Sequence, residues 1–245
     1  MTVFLTSSPC GCPFTPGPAV PVLDTRNHLV PNLRAVWPDH PVQGLAIAAD
    51  PDAWAENDAM CKAFLQCFTN AHLPLTRLIP CDARNQEEIG SLLAHSGFVM
   101  LCGGHVPTQN RFFAQLGLPG LFHNYHGIVM GVSAGSMNAA QLVYAAPELP
   151  GEAADPGYCR WLSGLGLTRT RILPHYQFIR EDILDGQRME DIALADSRRH
   201  HFLALPDGSY ILCADGHEAL YGRAWYFADG TVDEINEDED VLPLR

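Results

Sequence analysis

Residues 127–140 read GIVMGVSAGSMNAA. The run is apolar up to Met130, then sets a serine among small residues and leads into alanines. An apolar run of this length predicts a buried strand. The segment Gly131-Val132-Ser133-Ala134-Gly135 has the G-x-S-x-G form of a nucleophile elbow, a sharp turn from strand to helix. Such a turn crowds the backbone, so glycines on either side of the serine remove side chains that would collide. The turn pushes the Ser133 hydroxyl out of the sheet, and backbone N–H groups beyond it are free to meet negative charge. Ser136 is a competing hydroxyl, but its position inside the first helical turn suits capping or packing.

Working outward from this element, apolar strands alternate with helical patterns. Strands are expected at VFLTSS, VQGLAIAADP, LTRLIP, FVMLCGG and GIVMGVS. Helices are expected at 52–72, with Trp54, Met60, Phe64 and Phe68 near helical spacing, and at 87–97, 107–118 and 136–144. The alternation predicts an α/β fold with a mostly parallel sheet. RILPHY is a further short strand. From residue 201 the pattern changes to period-two runs broken by Asp-Gly pairs, which predicts short antiparallel strands closing one edge. Residues 24–38 have weak periodicity. Residues 146–159, APELPGEAADPGYC, are the most loop-like and follow the serine helix, so they are placed to line a pocket. A single domain over 1–245 is expected, with a solvated acidic tail from about 233.

The 245-residue chain carries a formal net charge of −13, with 28 acidic residues against 15 Lys and Arg. That balance argues against nucleic acid as a partner, which calls for basic patches. No apolar run approaches a membrane span, and the N-terminus has no basic region of the kind that opens a signal peptide. A cytoplasmic location is therefore expected, with no membrane partner. The eight cysteines are expected to be reduced and mostly buried. Cys10 and Cys12 sit in SPCGCP, a turn first, and no second close pair offers tetrahedral metal ligands. No metal or organic cofactor is expected. Oligomeric state is left open, a homodimer among the options.

A serine nucleophile needs a base and an acceptor that orients it. His175, in ILPHYQF, and His105, after Gly103-Gly104, both lie near strand ends and rank ahead of His123, His126, His200 and His201. Asp207, in ALPDGSY, Glu152 and Asp155 are the candidate acids, and local chemistry leaves all three open. The loop LCGGHVPTQN allows close backbone approach. Its N–H groups, with that of Ala134, can face an oxyanion. It lacks both the G-x-G-x-x-G pattern and the lysine of a phosphate loop.

Taken together and in order, LCGGHVPTQN, GVSAGSMNAA, ILPHYQF and ALPDGSYIL resemble the peptidase E and cyanophycinase group, the serine peptidases of family S51, over roughly residues 43–230. The resemblance implies a three-layer α/β/α sandwich related to class I glutamine amidotransferases, whose elbow carries cysteine in place of serine. It implies Ser133 as nucleophile, His175 as general base and an oxyanion site at Gly104 and Ala134. Asp207 is the favoured acid because ALPDGSYIL resembles its family counterpart better than the 146–159 loop does; Glu152 and Asp155 are the alternatives. The implied substrate is a small peptide, with dipeptidase or cyanophycinase-like activity. His105, Gln109 and Asn110 are candidates for substrate contact. The chain departs from the family at Cys102-Gly103-Gly104-His105, where three glycines and an asparagine are common, and at Val132 and Ser136 beside the elbow.

Overall fold

Strands with apolar side chains on both faces pair in parallel through the middle of the molecule. The computed structural model describes residues 1–10 and 20–244. The turn expected around Cys12 lies outside the described residues. Five parallel strands form the centre: β1 (Thr2–Thr6), β2 (Val42–Ile47), β3 (Leu75–Cys81), β4 (Phe98–Leu101) and β5 (Ile128–Val132). Their order is β1-β5-β4-β2-β3. Beyond β1 the sheet continues antiparallel through Tyr210–Ala214, His217–Tyr221 and Val241–Leu244, making eight strands.

The alternation of each strand decides the layers. Val3, Leu5, Leu45, Ile47, Val99, Leu101 and Val129 face one side. There they meet α3 (Ile89–Ala94), α4 (Val106–Gln115) and the short α6 (Ala134–Asn138). Phe4, Ala46, Phe98, Met100, Ile128 and Met130 face the other side, against α1 (Leu29–Val36) and α2 (Trp54–Asn70). This is the expected α/β/α sandwich. The α2 stripe differs in one residue. Cys61, Phe64, Cys67 and Phe68 are buried, but Trp54 is 50% exposed and its indole donates to Pro51 O.

Two expectations need correction. The helix after the elbow does not run to residue 144. It stops at Asn138, and Leu142–Tyr144 is a strand paired antiparallel with Trp161–Ser163. Tyr144 stacks on both Trp161 and Phe202, which favours extended backbone there over a further helical turn. The 146–159 loop is therefore the connection of this hairpin. The late strands also do more than close one edge. Phe202–Ala204 pairs with Ile172–Leu173 and Ala224–Ala228, and the latter with Thr231–Asn236, in a second, four-stranded sheet. The acidic stretch from 233 thus begins inside a strand, with Asp233 and Glu234 exposed.

The Asp-Gly pairs sort by backbone. Asp215-Gly216 and Asp229-Gly230 have positive φ at both residues, as a two-residue hairpin turn requires. Asp207-Gly208 has positive φ only at the glycine and carries the chain from the second sheet into the central one. Of the described cysteines, Cys10, Cys61, Cys67, Cys81, Cys102 and Cys213 are buried and Cys159 is exposed. Among the described residues no helix is long and apolar enough to cross a membrane.

Candidate active site

The C-terminal ends of β1, β2, β4 and β5 open onto one crevice, where ligand sites of open α/β sheets form. At the end of β5, Ser133 adopts φ 50 and ψ −113. A non-glycine residue there costs on the order of 1–3 kcal/mol and persists only when the surroundings hold it. They do: the Ser133 N–H donates to Thr6 O and Ser7 O at 3.1 Å each, and its carbonyl accepts from the N–H groups of Ser136 and Met137. Ser136 Oγ donates to Thr6 O at 2.8 Å and is buried, so the second hydroxyl is a structural pin.

The two elbow glycines are required by space. A Cβ on Gly131 would lie 2.7 Å from the Ser136 backbone, and one on Gly135 only 2.1 Å from Leu101 O in β4. Neither obstacle is a flexible side chain. Gly135→Ala is expected to destabilise the fold by about 3 kcal/mol, read from urea denaturation, because α6 must lift off the sheet to make room.

The structure brings Ser133, His175 and Asp207 together. His175 follows Ile172–Leu173, and its Nε2 lies 2.9 Å from Ser133 Oγ. Its Nδ1 lies 2.7 Å from Asp207 Oδ1. Ser7, at the end of β1, ties the group to the sheet. Its hydroxyl donates to Asp207 Oδ1 at 2.9 Å and accepts the His175 N–H at 2.8 Å. The Asp207 N–H donates to Gln177 Oε1, and its carbonyl accepts from Arg26, which is itself paired with Asp24. Burial pushes the Asp207 carboxyl up. The hydrogen bond and charge of His175, with Ser7 and Gln177, outweigh it and hold the group below its ordinary value. Asp207 is thus set to stay ionised beside the imidazole.

Sequence reasoning did not single out Ser7. The available signal was its place just past the C-terminal end of an apolar strand, the same signal that marked Ser133. Ser7→Ala is expected to lower kcat about tenfold with KM little changed, because the imidazole and carboxylate lose a shared anchor while the cavity walls stay in place. Steady-state kinetics on any turned-over peptide measures this.

The other candidates fall elsewhere. Glu152 is paired with His105, whose Nε2 lies 2.9 Å from Oε1, and it also accepts the N–H groups of Glu148 and Leu149. Asp155 caps the Gly157 N–H. Neither reaches His175. His105 bridges Glu152 and Thr108, clamping the 146–159 loop over the crevice. Gln109 and Asn110 are corrected from substrate contacts to framework. Gln109 is fully buried and donates to Cys102 O, and Asn110 donates to Asn138 Oδ1 and Ser163 O. His200 packs on the edge of Trp161, and His201 lies beside Arg171. Gly104 and Ala134 flank Ser133, and among the described residues no acceptor is paired with either N–H.

Two cavities meet at the serine. One of 820 Å³ extends toward β2 and α2, and one of 350 Å³ toward Met137, Leu173 and Met189. Gly104, Ser133, His175 and Phe178 belong to the walls of both. The 146–159 loop does line them, Leu149 in the larger and Glu148 in the smaller. Among the described residues no cluster of side chains is suited to hold a metal ion.

The same fold is found in two solved structures described as peptidases. A crystal structure of a peptidase from an acI-B1 Actinobacterium aligns with a TM-score of 0.65 at 15% identity, over 99% of this chain and 96% of that one. A second, described as a "Putative Peptidase E Protein from Listeria monocytogenes EGD-e", aligns with a TM-score of 0.52 at 15% identity, over 96% and 98%. The chain belongs to peptidase family S51, whose profile matches residues 41–220. No curated protein matches it in sequence. The family resemblance carried by the four sequence motifs is borne out.

Proposed function

We propose that the protein is a serine-type peptidase that hydrolyses a peptide or isopeptide bond in a small peptide, with Ser133 as nucleophile, His175 as general base and Asp207 as the orienting acid. The observation that carries this reading is the unbroken relay from Ser133 Oγ to His175 Nε2 at 2.9 Å and from Nδ1 to Asp207 at 2.7 Å, opening on both cavities.

In this mechanism Asp207 holds the proton on His175 Nδ1, leaving Nε2 free to accept. Ser133 Oγ attacks the carbonyl carbon as its proton passes to Nε2. The N–H groups of Gly104 and Ala134 receive the developing oxyanion. His175 then gives its proton to the leaving amine, and the acyl group stays on Ser133. A water, deprotonated by the same nitrogen, releases it. Every step uses side chains and backbone of this chain. The two cavities offer separate room for the acyl part and the leaving amine.

The test is unbiased profiling of a short-peptide library, including isoaspartyl members, with products read by mass spectrometry. Cleavage by the parent that is absent from Ser133→Ala supports the reading. Equal cleavage by both proteins removes Ser133 as nucleophile. Ser133-dependent turnover confined to esters or glutamine would change the reaction class and keep the machinery.

A further inference from the structure

Helix α2 presents one face to the larger cavity. Glu56, Met60 and Phe64 are spaced i, i+4, i+8 and all line it. The face spans about 12 Å along the axis. It grades from a carboxylate at the mouth to an aromatic ring at the floor. Phe64 is buried there with Met100 of β4 and Cys102 just past it. At the mouth Asp50 stands with Glu56, both exposed. Among the described residues Glu56 has no hydrogen-bond or ion-pair partner, and Asp50 uses one oxygen to accept the Asp52 N–H. The smaller cavity repeats the pattern, with Met137, Leu173 and Leu184 beside Glu148 and Asp182.

Among the described residues neither cavity is lined by a lysine or arginine. Residues 11–19, GCPFTPGPA, contain none in their sequence. Guanidinium groups on neighbouring segments are held elsewhere: Arg26 by Asp24, Arg84 by Asp58 and Asp82, and Arg188 by Glu190 and Asp191. Arg111 touches Thr108 from outside the lining, at 3.4 Å. At the mouth a substrate carboxylate would lose water and face the carboxylates of Asp50 and Glu56, which is unfavourable on both counts.

We infer that the preferred substrate is a peptide with an apolar side chain and a nearby cationic group, the side chain entering toward Phe64 and Met100 and the cation facing Asp50 and Glu56. The inference rests on the peptidase reading for its reaction but on the cavity alone for its selectivity. The cation is either the free α-ammonium or a lysine or arginine side chain, since both present the same charge to the mouth.

The full chain is tested with matched synthetic peptides in which one position is scanned. One set carries leucine with a free amine, the second is the N-acetylated form, the third the acetylated form with an adjacent lysine, and the fourth replaces leucine by aspartate. kcat/KM is measured for each, and binding to Ser133→Ala by calorimetry. Free-amine leucine peptides are expected to exceed the aspartate set by about tenfold or more in both readouts. Acetylation should remove the advantage; its return with lysine assigns the cation to a side chain, and no return assigns it to the α-ammonium. Glu56→Lys, on an exposed helical position, should shrink or invert the ratio. Aspartate peptides that bind or turn over as well as leucine ones overturn the inference, as does a ratio unchanged in Glu56→Lys. Charge-selective binding without Ser133-dependent turnover defeats the peptidase reading and leaves the inference standing.

Discussion

Replacing Ser133 by alanine is expected to lower kcat by about 10⁴-fold or more, with KM changed by only a small factor. The substitution deletes one oxygen and leaves the cavity walls untouched. The strained elbow is enforced by backbone bonds to Thr6 and Ser7, and by Ser136 and Met137 closing on the Ser133 carbonyl, none of which uses the side chain. Alanine meets the same positive φ as serine, so the thermal midpoint should stay close to that of the parent. Residual turnover would come from the Gly104 and Ala134 N–H groups and from binding alone. Steady-state kinetics with a thermal melt as control measures both. Loss of activity with a collapsed melting curve would assign the effect to folding.

Asp207→Asn is expected to cost about 10⁴-fold in kcat, again with little change in KM. The amide is almost isosteric, but it can offer an N–H where the carboxylate only accepts. At 2.7 Å from Nδ1 that donor favours the tautomer with hydrogen on Nε2, which cannot take the Ser133 proton. The acid also links stability to pH. Its folded value lies below the ordinary one, because the His175 bond and charge, with Ser7 and Gln177, outweigh burial. The unfolded chain therefore binds the proton more readily. Asp207 stabilises the fold above the ordinary carboxylate range, and this contribution is lost as pH falls through the lowered folded value. Urea denaturation should show a gap between parent and Asn variant at neutral pH that closes on acidification.

The parallel core was legible because its inner strands are apolar runs ended by Gly, Pro or polar residues and are buried on both faces, whereas edge strand β3 exposes Thr76 and Arg77. Ser133 was legible for a related reason. Gly131 and Gly135 are demanded by backbone within 3 Å, and such crowding writes itself into sequence as missing side chains. The acid was harder. Asp207-Gly208 reads locally like Asp185-Gly186, Asp215-Gly216 and Asp229-Gly230, yet those three close hairpins and it does not. What separates them is the sheet to which the next strand belongs, a long-range fact. Leu142–Tyr144 failed for the same kind of reason: its extended form depends on Trp161 and Phe202, both distant in the chain. Gln109 and Asn110 look like polar residues on a functional loop, and only packing shows that their amides hold Cys102, Asn138 and Ser163.

Strand β1 lies between β5 and Tyr210–Ala214, so both of its neighbours are made long after it. The hydrogen bond from Ser7 to Asp207 joins residues 200 positions apart. During synthesis the elbow can close once β5 has left the ribosome, but the imidazole stays unoriented until residue 207 has followed. Contacts of such separation form slowly. With the proposed triad, a nascent chain holds the Ser133 hydroxyl without its oriented imidazole until residue 207 has been made.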